Sequence, residues 1–214
     1  MVIATYGRSG STLLQKILGS IPGYHITGEN FLALHGLFRS FQDAEKTKAL
    51  KGQKRLTLGD PWRGADRIEP ETYGARLVDV FLEEIIKPPK GSRVVGFKEI
   101  RFAENLDDLD EFLDFIRTFF NPARIVFNVR NAEDVARSGW WKDHPSETVI
   151  SLVERFDAQA RAYAASYPNE AIVVRYDDYT KNPEELRDLF RFLGEDFDRT
   201  LVDDVLKVPL KHLK

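Results

Sequence analysis

Short, continuously apolar runs alternate along this chain with segments whose apolar residues recur every three to four positions. Val2 to Tyr6 is the first apolar run, followed by Gly7-Arg8-Ser9-Gly10-Ser11-Thr12. Leu13, Leu14, Ile17 and Leu18 then keep helical spacing until Pro22-Gly23 stops them, so the unit reads strand, tight turn, helix. Tyr24 to Thr27 is a second extended segment. Beyond Gly28-Glu29-Asn30, residues Phe31, Leu34, Leu37, Phe38 and Phe41 mark an amphipathic helix. Residues 42–69 are polar and rich in Lys, Gly and Asp, which predicts a long loop. With its flanks this stretch makes an excursion over about 40–90, of the kind that closes over an acceptor.

Further helices are expected over Glu71–Ile86, about Leu106–Phe120, Asn131 or Ala132 to about Trp141, and Ser146 to roughly Tyr167. A closing helix starts near Pro183 and ends at Gly194, and strands are expected at Val94–Lys98, Arg124–Val129 and Ala171–Tyr176. Strands that are apolar throughout are buried on both faces, and strands separated by helices pair in parallel. The expectation is an α/β fold: a single three-layer domain over 1–214 with a central parallel sheet flanked by helices.

The 214 residues fit one compact domain, and 43% hydrophobic content supplies its core. The net charge of −3, spread in mixed-sign runs, gives no reason to expect a nucleic-acid partner. The absence of cysteine excludes disulfides, thiolate metal sites and cysteine nucleophiles. No apolar run approaches the roughly 20 residues of a membrane span. Met1-Val2-Ile3 leads straight into the first strand without room for a cleaved signal, so a soluble, cytoplasmic protein is expected.

The turn after the first strand carries the sharpest chemistry. Small residues let backbone N–H groups converge there, and the following helix adds its positive end, so the turn suits an anion. Ser9, Ser11 and Thr12 bring hydroxyls and Arg8 a bidentate cation, more than a plain turn requires. A Walker A loop needs Gly-x-x-x-x-Gly-Lys-Ser/Thr, which the chain lacks. A hydrolase elbow needs Gly-x-Ser-x-Gly, and Ser11 stands where its last glycine belongs.

Thr5-Tyr6-Gly7-Arg8-Ser9-Gly10-Ser11-Thr12-Leu13-Leu14 resembles the 5′-phosphosulfate-binding loop of PAPS-dependent sulfotransferases, in the form found in bacterial and tyrosylprotein members. The resemblance implies a sulfotransferase fold on a P-loop-like scaffold. It also implies 3′-phosphoadenosine 5′-phosphosulfate (PAPS) as donor, no metal, and Arg8, Ser9, Gly10, Ser11 and Thr12 at the donor's 5′ end. The family's second motif is a strand ending in Arg with a Ser about eight residues on. Here it is matched by Ile125–Arg130 and Ser138, implied holders of the 3′-phosphate. Taken alone, Arg130 could equally be a surface residue paired with Glu133 or Asp134, and Ser138 a plain helix serine. Two such motifs about 120 residues apart suit a ligand with phosphates at both ends. Arg175-Tyr176-Asp177-Asp178-Tyr179 is similar to a third family segment and implies Tyr176 near the adenine. The likeness runs from residue 3 to about 194. The family's C-terminal glycine- and lysine-containing loop is not recognisable, which leaves Lys211 and Lys214 as its only substitutes.

Sulfuryl transfer needs a base for the acceptor proton and cations around the group in flight. Glu29 is the candidate base, at a distance from Arg8 similar to that of the catalytic glutamate in tyrosylprotein and some bacterial members. Otherwise it is an acid in the first turn of a helix. His35 is the alternative base and His25 a weaker one. Lys98 ends its strand at the carboxyl edge of the sheet, where open α/β sheets bind ligands, and could neutralise the leaving oxygen. Arg101 either pairs with Glu99 or meets the acceptor. Trp62, Trp140 and Trp141 are possible walls without an assigned role. The expected activity is transfer to a hydroxyl or amine of a small-molecule or carbohydrate acceptor. A nucleotide or small-molecule kinase and a non-catalytic adenosine-bisphosphate binder are the alternatives. No pattern fixes the oligomeric state, and a homodimer stays open.

Overall fold

A computed structural model describes residues 1–208. Strands β1 (Val2–Ala4), β2 (Tyr24–Thr27), β3 (Val94–Glu99), β4 (Ile125–Val129) and β5 (Ala171–Arg175) form one parallel sheet in the order β2-β3-β1-β4-β5. Val2 of β1 lies between Phe97 of β3 and Ile125 of β4, so the loops leaving three neighbouring strands open onto one crevice. Helices α1 (Ser11–Gly19), α2 (Ala33–Lys51), α3 (Pro70–Phe81), α4 (Leu109–Phe119), α5 (Ala132–Ala136), α6 (Ser146–Ser166), α7 (Tyr176–Tyr179), α8 (Arg187–Leu193) and α9 (Arg199–Leu206) flank it.

The central strands β1 and β4 are short and apolar because each is buried on both sides. Val2, Ala4, Phe97, Ile125 and Phe127 pack against Phe38, Phe81, Phe112 and Phe156 of α2, α3, α4 and α6. Ile3, Val126 and Val174 face the other way, onto Leu14 and Ile17 of α1, Phe190 of α8 and Val202 of α9. Burying each such side chain stabilises the fold by about 1.5–3 kcal/mol. The three-layer α/β architecture expected from the sequence is what forms.

Three elements differ from expectation. Residues 42–51 continue α2 rather than forming a loop. The apolar stripe of α2 ends where Phe41 meets Phe115 and Phe119, but the next turns are built from strong helix formers such as Ala44, Glu45 and Lys46. Lys48 and Lys51 in the last turn favour the helix dipole. The helix after β4 stops at Ala136, and Gly139 (φ 59) turns the chain into a 3₁₀ segment, Gly139–Asp143. A side chain at 139 would meet Arg8, so the break makes room for that arginine. Helix α9 was not anticipated, although Asp198 caps it by accepting from Leu201 N–H at 3.0 Å. Lys211 and Lys214 lie outside the described residues. No helix among the described residues is long and apolar enough to cross a membrane.

Candidate active site

The turn after β1 is gripped from behind. Trp141 Nε1 donates to the Gly7 carbonyl at 3.0 Å, Arg130 Nη1 to the Arg8 carbonyl at 3.0 Å, and Asn128 Nδ2 to the Ser9 carbonyl at 2.9 Å. Asn128 is buried and is itself oriented by the Tyr179 hydroxyl, which donates to its Oδ1 at 3.0 Å. Arg8 (φ 66) and Gly10 (φ 80) are left-handed, a backbone form that gathers successive N–H groups into an anion seat. Only glycine fits at 10, where a Cβ would stand 2.1 Å from the Tyr176 ring. Helix α1 starts at Ser11 with no acidic residue in its first turn and no side-chain cap, so its positive end is uncompensated.

The second anchor sits beside the first. Arg130 follows β4, its guanidinium 4.8 Å from the centre of the Tyr176 ring; its buried Nε has no hydrogen-bond partner, and Asp177 Oδ1 lies 4.0 Å from it. The carboxylates of Glu133 and Asp134 are taken by Arg137 instead of Arg130. Ser138 Oγ accepts from Arg8 Nε at 3.1 Å, so residues assigned to opposite ends of the donor touch. Under this anchor, the Tyr6 hydroxyl accepts from Arg130 N–H at 2.8 Å and lies 3.2 Å from an Asp157 carboxylate oxygen. Burial pushes the Asp157 carboxyl up to about 6, against the pull of Arg161 and Tyr6.

On the opposite wall, Lys98 Nζ donates to Glu29 Oε1 at 2.5 Å, and Arg101 Nη1 lies 3.8 Å from Glu29 Oε2. Lys98 is buried at the end of β3, whereas the Glu29 side chain is 38% exposed. Helix α2 begins only at Ala33, so Glu29 is not a first-turn acid.

Arg8, Gly10, Ser11, Thr12, Glu29, Lys98, Arg130, Ser138 and Tyr176 line one cleft of about 420 Å³, joined by Ile100 and Trp140; Ser9 and His35 do not. Ser9 is wholly buried under the turn with an unpartnered hydroxyl, and its carbonyl rather than its side chain holds the turn. His35 is turned away, 3.1 Å from an Asp108 carboxylate oxygen and edge-on to Phe112. His25 contacts the Ile86 carbonyl, and Trp62 packs beside Lys51. Trp140 forms a wall of the cleft against Gly7, while Trp141 clamps the turn from behind. The sequence marks Glu99 only as a possible partner of Arg101 and gives Asn128 no role. Glu99 carried one signal, its place next to Lys98 at a strand end. The described residues bring together no group of three His, Asp or Glu able to hold a metal ion.

A family model described as "Sulfotransferase family" matches residues 1–199. Among solved structures, the chain is similar to the sulfotransferase domain from the Synechococcus PCC 7002 olefin synthase. That likeness has 21% identity and a TM-score of 0.61 over 94% of this chain and 74% of the other. A sulfotransferase from Alicyclobacillus acidocaldarius is 16% identical, with a TM-score of 0.53 over 95% and 88% of the two chains. The sulfotransferase domain from the curacin biosynthetic pathway gives 16% and 0.53 over 94% and 75%. At these identities the likeness is one of fold. No curated protein matches.

Proposed function

The chain belongs to the sulfotransferase family, and from that premise we propose that it transfers a sulfuryl group from PAPS to a hydroxyl or amine of a small-molecule or carbohydrate acceptor, with Glu29 as the base. The observation that carries this reading is the Glu29–Lys98 pair, which faces the same cleft as the two arginine anchors. The residues suit such a donor: Arg130 Nε is a buried donor without a hydrogen-bond partner, and the start of α1 has no acid of its own. Arg8, Ser11 and Thr12 would hold the 5′ end, Arg130 and Ser138 the 3′-phosphate, and the Tyr176 ring the base.

When PAPS is bound, the S–O bond to its 5′-phosphate breaks as the S–O bond to the acceptor forms. Glu29 takes the acceptor proton, and its exposed carboxylate is open to an incoming hydroxyl. Lys98 has three N–H donors and gives one to Glu29, which leaves others for the oxygen on which charge builds. Arg8 and the α1 start neutralise charge on the opposite side.

Calorimetric titration with 3′-phosphoadenosine 5′-phosphate (PAP), AMP and ATP, with and without magnesium, tests the donor site. PAP is expected to bind in preference to the others without metal. Arg8→Ala and Arg130→Ala should each weaken it about 10- to 100-fold, as expected for charge-assisted hydrogen bonds worth about 1.5–3 kcal/mol. Tighter ATP binding that needs magnesium would replace this reading with the kinase.

A further inference from the structure

Glu99 closes β3 one residue after Lys98 and is the only buried acid among the described residues. Its Oε2 accepts the N–H of Asn30 at 3.0 Å and of Leu32 at 2.8 Å. Its Oε1 accepts the N–H of Ile100 at 2.8 Å and of Arg101 at 3.1 Å, together with Arg101 Nη1 at 3.1 Å. Burial alone would raise this carboxyl, but the four backbone N–H groups outweigh it and hold the group below the usual range. A buried charge with this many donors is a fixed anion rather than a titrating one.

The segment it holds is strained, although Leu32 is buried in the core and Asn30 Oδ1 accepts Ala33 N–H at 3.1 Å. Phe31 (φ 57) and Leu32 (φ 52) are consecutive left-handed residues, unfavourable for side chains with a Cβ. Phe31 is 82% exposed, so core packing does not impose its conformation. The two N–H bonds to Glu99 span this strained pair, and Glu29 is the residue immediately before Asn30. Arg101 is shared between two carboxylates, closer to Glu99 (3.1 Å) than to Glu29 (3.8 Å), and its guanidinium lies 4.1 Å from the Phe31 ring centre.

We propose that Glu99 is a positioning residue for sulfuryl transfer: it pins the Glu29 loop over Lys98 and draws Arg101 off Glu29, so that the base is not held by two cations. This rests on the reading of Glu29 as the base. Lys98 and Arg101 are the charged groups within ion-pair distance of Glu29, and Arg8 and Arg130 line the same cleft. All four are cations; Glu99 offsets Arg101, and Asp177 lies 4.0 Å from Arg130. A carboxylate clamped by both Lys98 and Arg101 would be a weaker proton acceptor.

Carbon-detected NMR titration of the Glu29 carboxyl in the full chain tests this without an acceptor, alongside calorimetry with PAP. In Glu99→Gln the Glu29 titration should move down by about one unit, as Arg101 closes on it. The amide signals of Asn30 and Leu32 should lose the downfield shift that a carboxylate acceptor imposes, while PAP affinity stays within about threefold of wild type. A substitution that only loosened the fold would not lower the Glu29 titration. Should Glu99→Gln fail to fold, Glu99→Asp keeps the charge but shortens its reach to Arg101, and is expected to lower the Glu29 titration in the same direction. An unmoved Glu29 in whichever variant folds overturns the proposal. Failure of PAP to bind wild type sinks the donor-site reading instead, whatever the titrations show.

Discussion

Two loops meet at the carboxyl edge of the sheet, and they are held in opposite ways. The turn at 7–12 keeps its chemistry within six consecutive residues, and one of its two left-handed positions is a glycine. The loop at 28–32 has two left-handed residues, Phe31 and Leu32, neither of them glycine, and depends on a carboxylate far along the chain. The first loop is specified where it stands and then clamped. The second is specified by β3. The proposed anion seat can be read as a motif for this reason, whereas the placement of Glu29, the proposed base, comes from a contact between distant segments.

The largest expected effect sits on the second loop. Glu29→Gln keeps the shape and the hydrogen bond to Lys98 but cannot take a proton. Turnover, followed as PAP formed from PAPS with an acceptor, should fall about 10²- to 10⁴-fold. PAP affinity should stay within about threefold. Loss of both together would mean that Glu29 belongs to the donor seat and that the two loops are one device.

The next effect sits on the first loop. Gly10→Ala places a Cβ 2.1 Å from the Tyr176 ring at a φ of 80. The left-handed strain alone costs about 1–2 kcal/mol, and displacing Tyr176 removes the partner of Arg130. A lower melting temperature with PAP binding weakened by about 10-fold or more is expected; unchanged PAP binding would show that Tyr176 is not part of the seat.

Much of this division was legible beforehand. The strand–turn–helix, the Arg130 strand end and the Lys98 strand end follow from apolar runs broken by chemistry-bearing residues, and the cleft gathers them. His35 shows the limit: helical spacing puts it near Glu29, but which way a helix turns its histidine is decided by partners, here Asp108 and Phe112. The extension of α2 was hidden because apolar periodicity marks only the helix that packs against something. Glu99 was read only as a partner for Arg101, since the importance of its carboxylate lies in N–H groups that no side-chain pattern reports.

Two carboxylates near these loops, the partly buried Asp157 and the buried Glu99, should respond oppositely to pH. Asp157 titrates near 6 when folded against an ordinary 3.8, so the native state binds the extra proton between those values. Its contribution to stability therefore falls as pH rises through about 6. Asp157→Asn should raise the melting temperature relative to wild type at pH 8, with the difference vanishing below about pH 4. Glu99 is held below its ordinary 4.5, so its contribution is present above that value and is lost as pH falls. A difference for Asp157→Asn that does not change with pH would mean the Tyr6 contact outweighs the charge.

The smallest expected effect separates the two loops most sharply. Phe31→Gly removes a side chain that is 82% exposed and relieves a φ of 57, while the freer unfolded chain offsets the gain. Stability should change by less than about 1 kcal/mol. Leu32→Gly relieves a similar φ but removes a side chain only 5% exposed, so it should cost about 2–4 kcal/mol. If thermal melts show equal losses, the Phe31 side chain packs in solution. If they separate as expected, the loop tolerates loss of a side chain at 31, where the turn at 7–12 cannot accept even a methyl group at 10.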